Sequence, residues 1–268
     1  MDLCLITPVK YVWLTRLLPG RFCLAQIAIK HTAYREFFRK EALNGYRVIL
    51  DNGAFENDLI SDKDLIQLAE ELSPTILIVP DLLGGDAKEN FDKAVSFAKG
   101  LSSIDWELMF VPQCKPGDTS GYEIALVDAI ESELFKWIGI ARVPLANAFS
   151  AFTHTTDESL NKFYFGAWAE AKGIFKFAKE KDVHFHMLGI GNNLSLLKHC
   201  WWAETADTAS LFFQATLGNK VCRKGVLPGE ISRPKDYFLR DFGPEHLWLG
   251  LLRHNCKEAL KYAERSES

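Results

Sequence analysis

The chain has 268 residues, of which 48% are hydrophobic and 25% charged, and its formal net charge is −4. That length suits one large α/β domain or two small ones, and the composition excludes an extended disordered chain. The acidic balance argues against a nonspecific nucleic-acid binder, though a local basic patch is compatible with it.

Residues 3–7 and 22–29 are apolar runs that read as strands. Residues 31–43 read as a helix stopped by Asn44-Gly45. The stretch 48–50 is a β-branched, apolar strand that ends on Asp51 and a glycine turn. Ser61 is placed as an N-cap with Asp64 at N3, followed by Leu65, Leu68, Ala69 and Leu72 at helical spacing. A strand is expected at 75–79, a helix at 88–99, a strand at 107–111 and a helix at 121–132. A strand at 135–140 precedes a long helix over 157–181, with Gly166 and Gly173 as its weak points. A strand at 183–188, a short helix at 193–200 and a short strand at 203–206 follow. Residues 217–240 form an irregular basic segment, and a final helix runs over 244–264.

About eight strands, mostly separated by helices, require parallel pairing and right-handed crossovers. Eight such units in ~250 residues is the size of a TIM barrel, so the expected fold is an α/β (β/α)8 barrel spanning residues 1–268 as one domain. A doubly wound sheet fits less well. No GxGxxG follows the first strand, and polar strand ends come from at least five strands, where a switch point would gather them in two or three. Six scattered cysteines without a CxxC read as reduced thiols of a cytoplasmic protein. The N-terminus shows no signal-peptide pattern, and no apolar run approaches the ~20 residues that span a bilayer, so no membrane partner is expected.

In a barrel, function sits at the C-terminal strand ends. Asp51, Asp81, Gln113 and Asp207 stand at such ends. Strand-end Asp is also a common cap or turn residue. Two carboxylates facing each other across a barrel mouth suit glycosyl chemistry, in which one attacks the anomeric carbon and the other exchanges a proton with the leaving group. Gln113 offers the donor and acceptor that edge-on reading of a heterocycle requires. Gly139, Gly189 and Gly191 either let a flat ligand approach the backbone or form tight turns. His184 and His186 alternate with Phe185 and Met187 and so share a strand face, but no third ligand is in register and no metal is expected. Trp201-Trp202 reads as packing around the barrel before it reads as a base-stacking shelf. Lys220, Arg223, Lys224, Arg233, Lys235 and Arg240 form either a solvated loop face or a phosphate-contacting edge.

The ordered set Leu50-Asp51-Asn52-Gly53-Ala54-Phe55, Pro80-Asp81, Val111-Pro112-Gln113, Gly139-Ile140-Ala141, His186 to Gly191 and Thr205-Ala206-Asp207-Thr208-Ala209 resembles the tRNA-guanine transglycosylase superfamily, over roughly residues 45–215. The resemblance implies a TIM barrel that exchanges guanine for a 7-deazaguanine base without metal or redox cofactor. It implies that Asp51 is the general acid/base and that Asp207 attacks the sugar C1′. Asp81 and Gln113 would read the pyrimidine edge of the base. Gly139, Ile140, Ala141 and Gly189 would contact it through the backbone, and Leu188 and Phe55 would line its pocket. The chain departs from the family at Asn52 (for Ser), at Ala54 (for Gly) and around Asp207, where Asp-Cys-Val is lost and Glu204 is a rival carboxylate. The family's CxCxxC zinc cluster is not reproduced by Cys222, His254 and Cys256. In this the chain resembles the phage and bacterial branch that inserts 7-deazaguanines, such as 7-cyano-7-deazaguanine, into DNA. DNA, guanine and the incoming base are then the expected partners, with Lys220, Arg223, Lys224, Arg233 and Lys235 on the nucleic acid and a homodimer compatible with the family. tRNA-guanine exchange, a barrel glycoside hydrolase and a catalytically silent nucleic-acid-binding barrel are the alternatives.

Overall fold

The computed structural model describes residues 1–54, 60–101, 104–153, 158–191, 193–225, 227 and 233–264. Eight parallel strands form one sheet in the order β1-β8-β7-β6-β5-β4-β3-β2. They are β1 (Asp2–Leu5), β2 (Arg21–Leu24), β3 (Val48–Asp51), β4 (Ile76–Ile78), β5 (Glu107–Phe110), β6 (Trp137–Ile140), β7 (His184–Met187) and β8 (Thr205–Thr208). The circle closes between β1 and β2 through a bridge from Cys4 to Gly20, where the Gly20 amide donates to the Leu3 carbonyl at 3.0 Å. Glycine is required there, because a Cβ would stand 2.4 Å from Cys4 Sγ. The fold is therefore an α/β TIM-like barrel.

Ten helices are seen among the described residues: α1 (Ala25–Lys30), α2 (Thr32–Leu43), α3 (Asp62–Leu72), α4 (Ala87–Gly100), α5 (Thr119–Glu131), α6 (Arg142–Thr153), α7 (Glu158–Ala171), α8 (Ile174–Glu180), α9 (Ser210–Thr216) and α10 (Leu249–Glu264). Side-chain caps fix three starts. Ser61 Oγ accepts from the Asp64 amide, Asp86 from the Lys88 and Glu89 amides, and Asp118 from the Gly121 amide. No helix among the described residues is long and apolar enough to cross a membrane.

One contact at the N-terminal end crosses the barrel, from the start of β3 to β6. At the N-terminal end, Arg47 bonds Asp2 at 3.2 Å and lies over the Trp137 ring, whose Nε1 donates to Glu107 at 2.6 Å. Outside the sheet, the fully buried Glu41 of α2 accepts from Arg21 Nε at 2.7 Å and Arg16 Nη2 at 2.6 Å. Burial pushes the Glu41 carboxyl up, but the two arginines outweigh it and hold the group below the ordinary carboxylate value.

Several elements differ from what the sequence pattern predicts. Residues 22–29 are not one strand: β2 ends at Leu24 and α1 begins at Ala25. Ala25, Gln26, Ile27 and Ala28 are all buried, so no exposed polar face marks the change of period. The long helix breaks into α7 and α8 at Gly173, which takes φ +70°. Gly166 stays helical and makes room for the Trp202 indole nitrogen. The last strand lies two residues later than the expected 203–206, which puts Asp207 inside β8 instead of beyond it. The final helix starts at Leu249, after Pro244 and a 3-10 turn at Glu245–Leu247. α6, α9 and a 3-10 segment at Val9–Leu17 have no counterpart in the pattern reading.

Candidate active site

Asp207 is the most enclosed carboxylate at the mouth, only 6% exposed. Its Oδ1 accepts from the Gly189 amide at 2.9 Å and faces His186 Nε2 at 3.2 Å. The Ile190 amide donates to the Asp207 main-chain carbonyl at 3.0 Å. The turn after β7 thus clamps the residue twice. Gly189 and Gly191 take φ +65° and +67°, which L side chains rarely adopt, so glycine is what lets the turn close on β8. Among the described residues no donor reaches Asp207 Oδ2. Cys4 pairs with Asp207 in the β1–β8 register, and burial, with the Asp207 charge beside it, pushes its thiol far above the ordinary value.

Asp51 ends β3 and pairs with Leu24 of β2. It is partly exposed, and its Oδ2 accepts from the Gly53 amide at 3.3 Å. β1 and β2 separate it from β8, so the two aspartates rise from strands on different sides of the same mouth. Phe55, expected beside it, lies outside the described residues.

Asn52, Asp81 and Gln113 form one buried network. Asn52 Nδ2 donates to Asp81 Oδ1 at 2.9 Å and to the Val79 carbonyl at 2.7 Å. Gln113 Nε2 donates to Asp81 Oδ2 at 2.6 Å, and its Oε1 accepts from the Gly84 amide at 3.1 Å. Both Asp81 oxygens therefore accept, which favours the anion. Burial outweighs the two donors and raises the Asp81 carboxyl above its ordinary value. The structure joins the two expected base readers to each other, and it adds Asn52, whose side-chain amide orients Asp81. In the sequence the only signal of that role is the departure itself.

α6 covers this side of the mouth. Asn147 Nδ2 donates to the Cys114 carbonyl at 2.7 Å, and its own main-chain carbonyl accepts from the Gly117 amide at 2.8 Å. Gly139 is packed in the wall: a Cβ would meet Val111, Met109 and Leu188 side chains at 2.9–3.1 Å. Ile140 is fully buried and its carbonyl accepts from the Leu188 amide. Ala141 and Leu188 are partly exposed at the rim.

Glu204, the rival carboxylate, sits at the opposite end of the barrel. It precedes β8 and pairs with His184 Nδ1, while Asp207 lies three residues further along the strand, about 10 Å away. Lys220, Arg223, Lys224, Arg233 and Lys235 are all exposed. The segment is anchored to α10 through Val221 and Asn255, and to the mouth through Tyr237, whose hydroxyl donates to the carbonyl of Ala209 just beyond β8. Arg233 lies over the Tyr237 ring, 5.4 Å from its centroid, so this cation is held near the strand end that carries Asp207. Trp202 is buried against Phe165, Phe175 and Phe185, and Trp201 is half exposed. No disulfide is formed among the described cysteines, and Cys256 is buried with its thiol pushed up to about 12. Among the described residues, no three His, Cys, Asp or Glu side chains group as a metal site would require.

Two carboxylates at one mouth, one clamped and one partly exposed, beside a buried amide-carboxylate network, can support displacement at a sugar carbon with proton exchange on a polar heterocycle. No family model matches the chain, and no curated protein matches it. Among solved structures it is similar to the crystal structure of a variant of the citrate synthase SbnG, with a TM-score of 0.39 and 13% identity over 69% of this chain and 87% of that chain. A likeness at that level carries no argument about activity.

Proposed function

We propose that the chain is a base-exchanging transglycosylase that replaces guanine in DNA with a 7-deazaguanine. The observation that carries the reading is Asp207: an enclosed carboxylate at a C-terminal strand end, with Oδ1 held between the Gly189 amide and His186 Nε2 and Oδ2, among the described residues, left without a donor. The resemblance of residues 45–215 to the tRNA-guanine transglycosylase superfamily, the Asn52–Asp81–Gln113 network and the exposed cations support it.

The target deoxyguanosine leaves the stack, at a cost of a few kcal/mol. Asp207 Oδ2 attacks C1′ and the C1′–N9 bond breaks, its electron pair going to the departing guanine, which Asp51 protonates. A 7-deazaguanine takes the vacated pocket. Asp51 removes its N9 proton, N9 attacks C1′, and the bonding pair of the C1′–O bond returns to the Asp207 carboxylate. Two displacements retain the configuration. Asp81 and Gln113 hold each other's polar atoms in place for the edge of the base. Arg233 and Lys235 meet the phosphates.

The test is incubation of the protein with duplex DNA and a labelled 7-cyano-7-deazaguanine, followed by digestion to nucleosides. The expected product is the labelled deoxynucleoside. Label in tRNA alone moves the activity to tRNA exchange. Release of reducing sugar from oligosaccharides makes the chain a glycoside hydrolase, and DNA binding with unchanged base composition makes it a silent binder.

A further inference from the structure

His186 enters the reading above only as a contact of Asp207, and its ring is fully enclosed. It is 0% exposed, as is Thr205. The β7–β8 register explains its contacts. His186 pairs directly with Thr205, so ring Nδ1 meets Thr205 Oγ1 at 2.6 Å. Asp207 is two residues further along β8 on the same face, the diagonal neighbour that a long side chain reaches, and ring Nε2 meets its Oδ1 at 3.2 Å. The Phe22 ring stacks on the imidazole, with centroids 5.7 Å apart and planes 20° apart. Every polar atom of the His186 ring is used, and the ring is held on one side by an aromatic face.

We propose that His186 is a positioning residue that, fixed by Thr205 and Phe22, sets the rotation of the Asp207 carboxylate so that Oδ2 is presented to the substrate. The inference rests on Asp207 being the nucleophile. A carboxylate held by one donor rotates about its Cβ–Cγ bond. Two donors converging on Oδ1, the Gly189 amide and His186 Nε2, define the plane and leave the other oxygen for the substrate. The donor sense follows from chemistry. An ionised Asp207 only accepts, so Nε2 carries the hydrogen. In a neutral ring Nδ1 then has a lone pair, and Thr205 donates to it. Thr205 is fully enclosed, so it serves as an anchor for the ring and does not meet substrate.

The experiment has a structural and a kinetic part. In the 15N-histidine-labelled full chain, the His186 resonances are identified by their loss in His186→Gln. The expected state is a ring that carries a hydrogen on Nε2, and a ring protonated on Nδ1 alone overturns the proposal. In the exchange assay, His186→Phe should lower kcat about 100-fold with the KM for the free base unchanged, the effect of a misplaced reacting group. His186→Gln, which returns an N–H near the Nε2 position, should recover most of the loss. Wild-type kcat in a folded His186→Phe variant overturns the proposal, as does a folded His186→Gln that loses as much as His186→Phe. If the wild-type protein performs no exchange, the proposed activity fails, and the NMR result still decides the hydrogen-bond direction.

Discussion

β7 meets β8 and the residue before it in two His–carboxylate pairs, one at each end of the barrel. At the C-terminal mouth His186 meets Asp207, with side-chain exposures of 0% and 8%. At the N-terminal mouth His184 meets Glu204, with exposures of 31% and 49%. The residue types are nearly the same and the two histidines are two positions apart on one strand. The surroundings differ. The lower pair also faces Asp182 and is open to water, where ion pairs are screened and contribute little. The upper pair is enclosed by Thr205, Phe22 and the glycine turn after β7, and every partner is fixed. Pairing alone therefore does not mark a site. The proposed site at the upper pair rests on enclosure, a fixed geometry and an Asp207 oxygen with no donor among the described residues.

The comparison is broken most sharply by removing each carboxylate. Asp207→Ala should lower exchange on the order of 10⁴-fold, the scale seen when one member of a catalytic unit is deleted. Glu204→Ala should leave kcat within about twofold, since its loss at an exposed pair moves nothing at the mouth. Nucleoside analysis of the DNA product measures both. Equal losses would show that the two ends do not differ in role.

A smaller effect is expected at Asp81, which is proposed to read the base. Asp81→Ala removes two hydrogen bonds to a charged group and releases the Gln113 amide, so the KM for the incoming base should rise about 10- to 100-fold with kcat less affected. Steady-state titration of the free base checks this, and an unchanged KM would detach Asp81 from base reading. The same residue sets a pH signature. Its carboxyl is raised in the fold by burial, so the folded state holds the proton more tightly than the unfolded chain. Its contribution is then full below the ordinary carboxylate value and is lost as pH rises through the raised one. Urea midpoints taken from acid to neutral pH should show that fall, and Asp81→Leu should flatten it.

Smaller still is the effect of the exposed cations. Arg233→Ala and Lys235→Ala should each weaken DNA binding alike for all sequences and reduce the slope of log K against log salt by about 1, without changing base KM. The smallest change belongs to the lower pair: Glu204→Gln should alter stability by less than about 1 kcal/mol, and that difference should shrink with added salt.

The barrel is legible in the sequence because its strands are short, buried on both faces and closed by polar residues at regular intervals, which the pattern 48–51, 76–81 and 107–113 shows plainly. The cap at Ser61 is legible for the same local reason. α1 is not, because a helix whose first four residues are all buried offers no period to read. Gly173 reads as a weak point, but a glycine tolerated in a helix and a glycine that ends one look alike until φ is known. At the site, Asp51, Asp81, Gln113 and Asp207 all read as strand ends. Their partnerships do not, because they depend on register. Only the pairing of His186 with Thr205 shows that the ring reaches Asp207, while the β8 start places Glu204 at the far end. Asn52 stands out as an exception to a family pattern, and the reason, its bond to Asp81, lies in the turn after β3.

The most direct test of the account is to trap the glycosyl-enzyme. The protein is mixed with duplex DNA in the absence of an incoming base, quenched in denaturant, digested with nuclease and protease, and its peptides are read by mass spectrometry. A deoxyribosyl adduct on Asp207, absent from Asp207→Ala, is the expected result. An adduct on another carboxylate, or labelled base incorporated at the wild-type rate by Asp207→Ala, would contradict it.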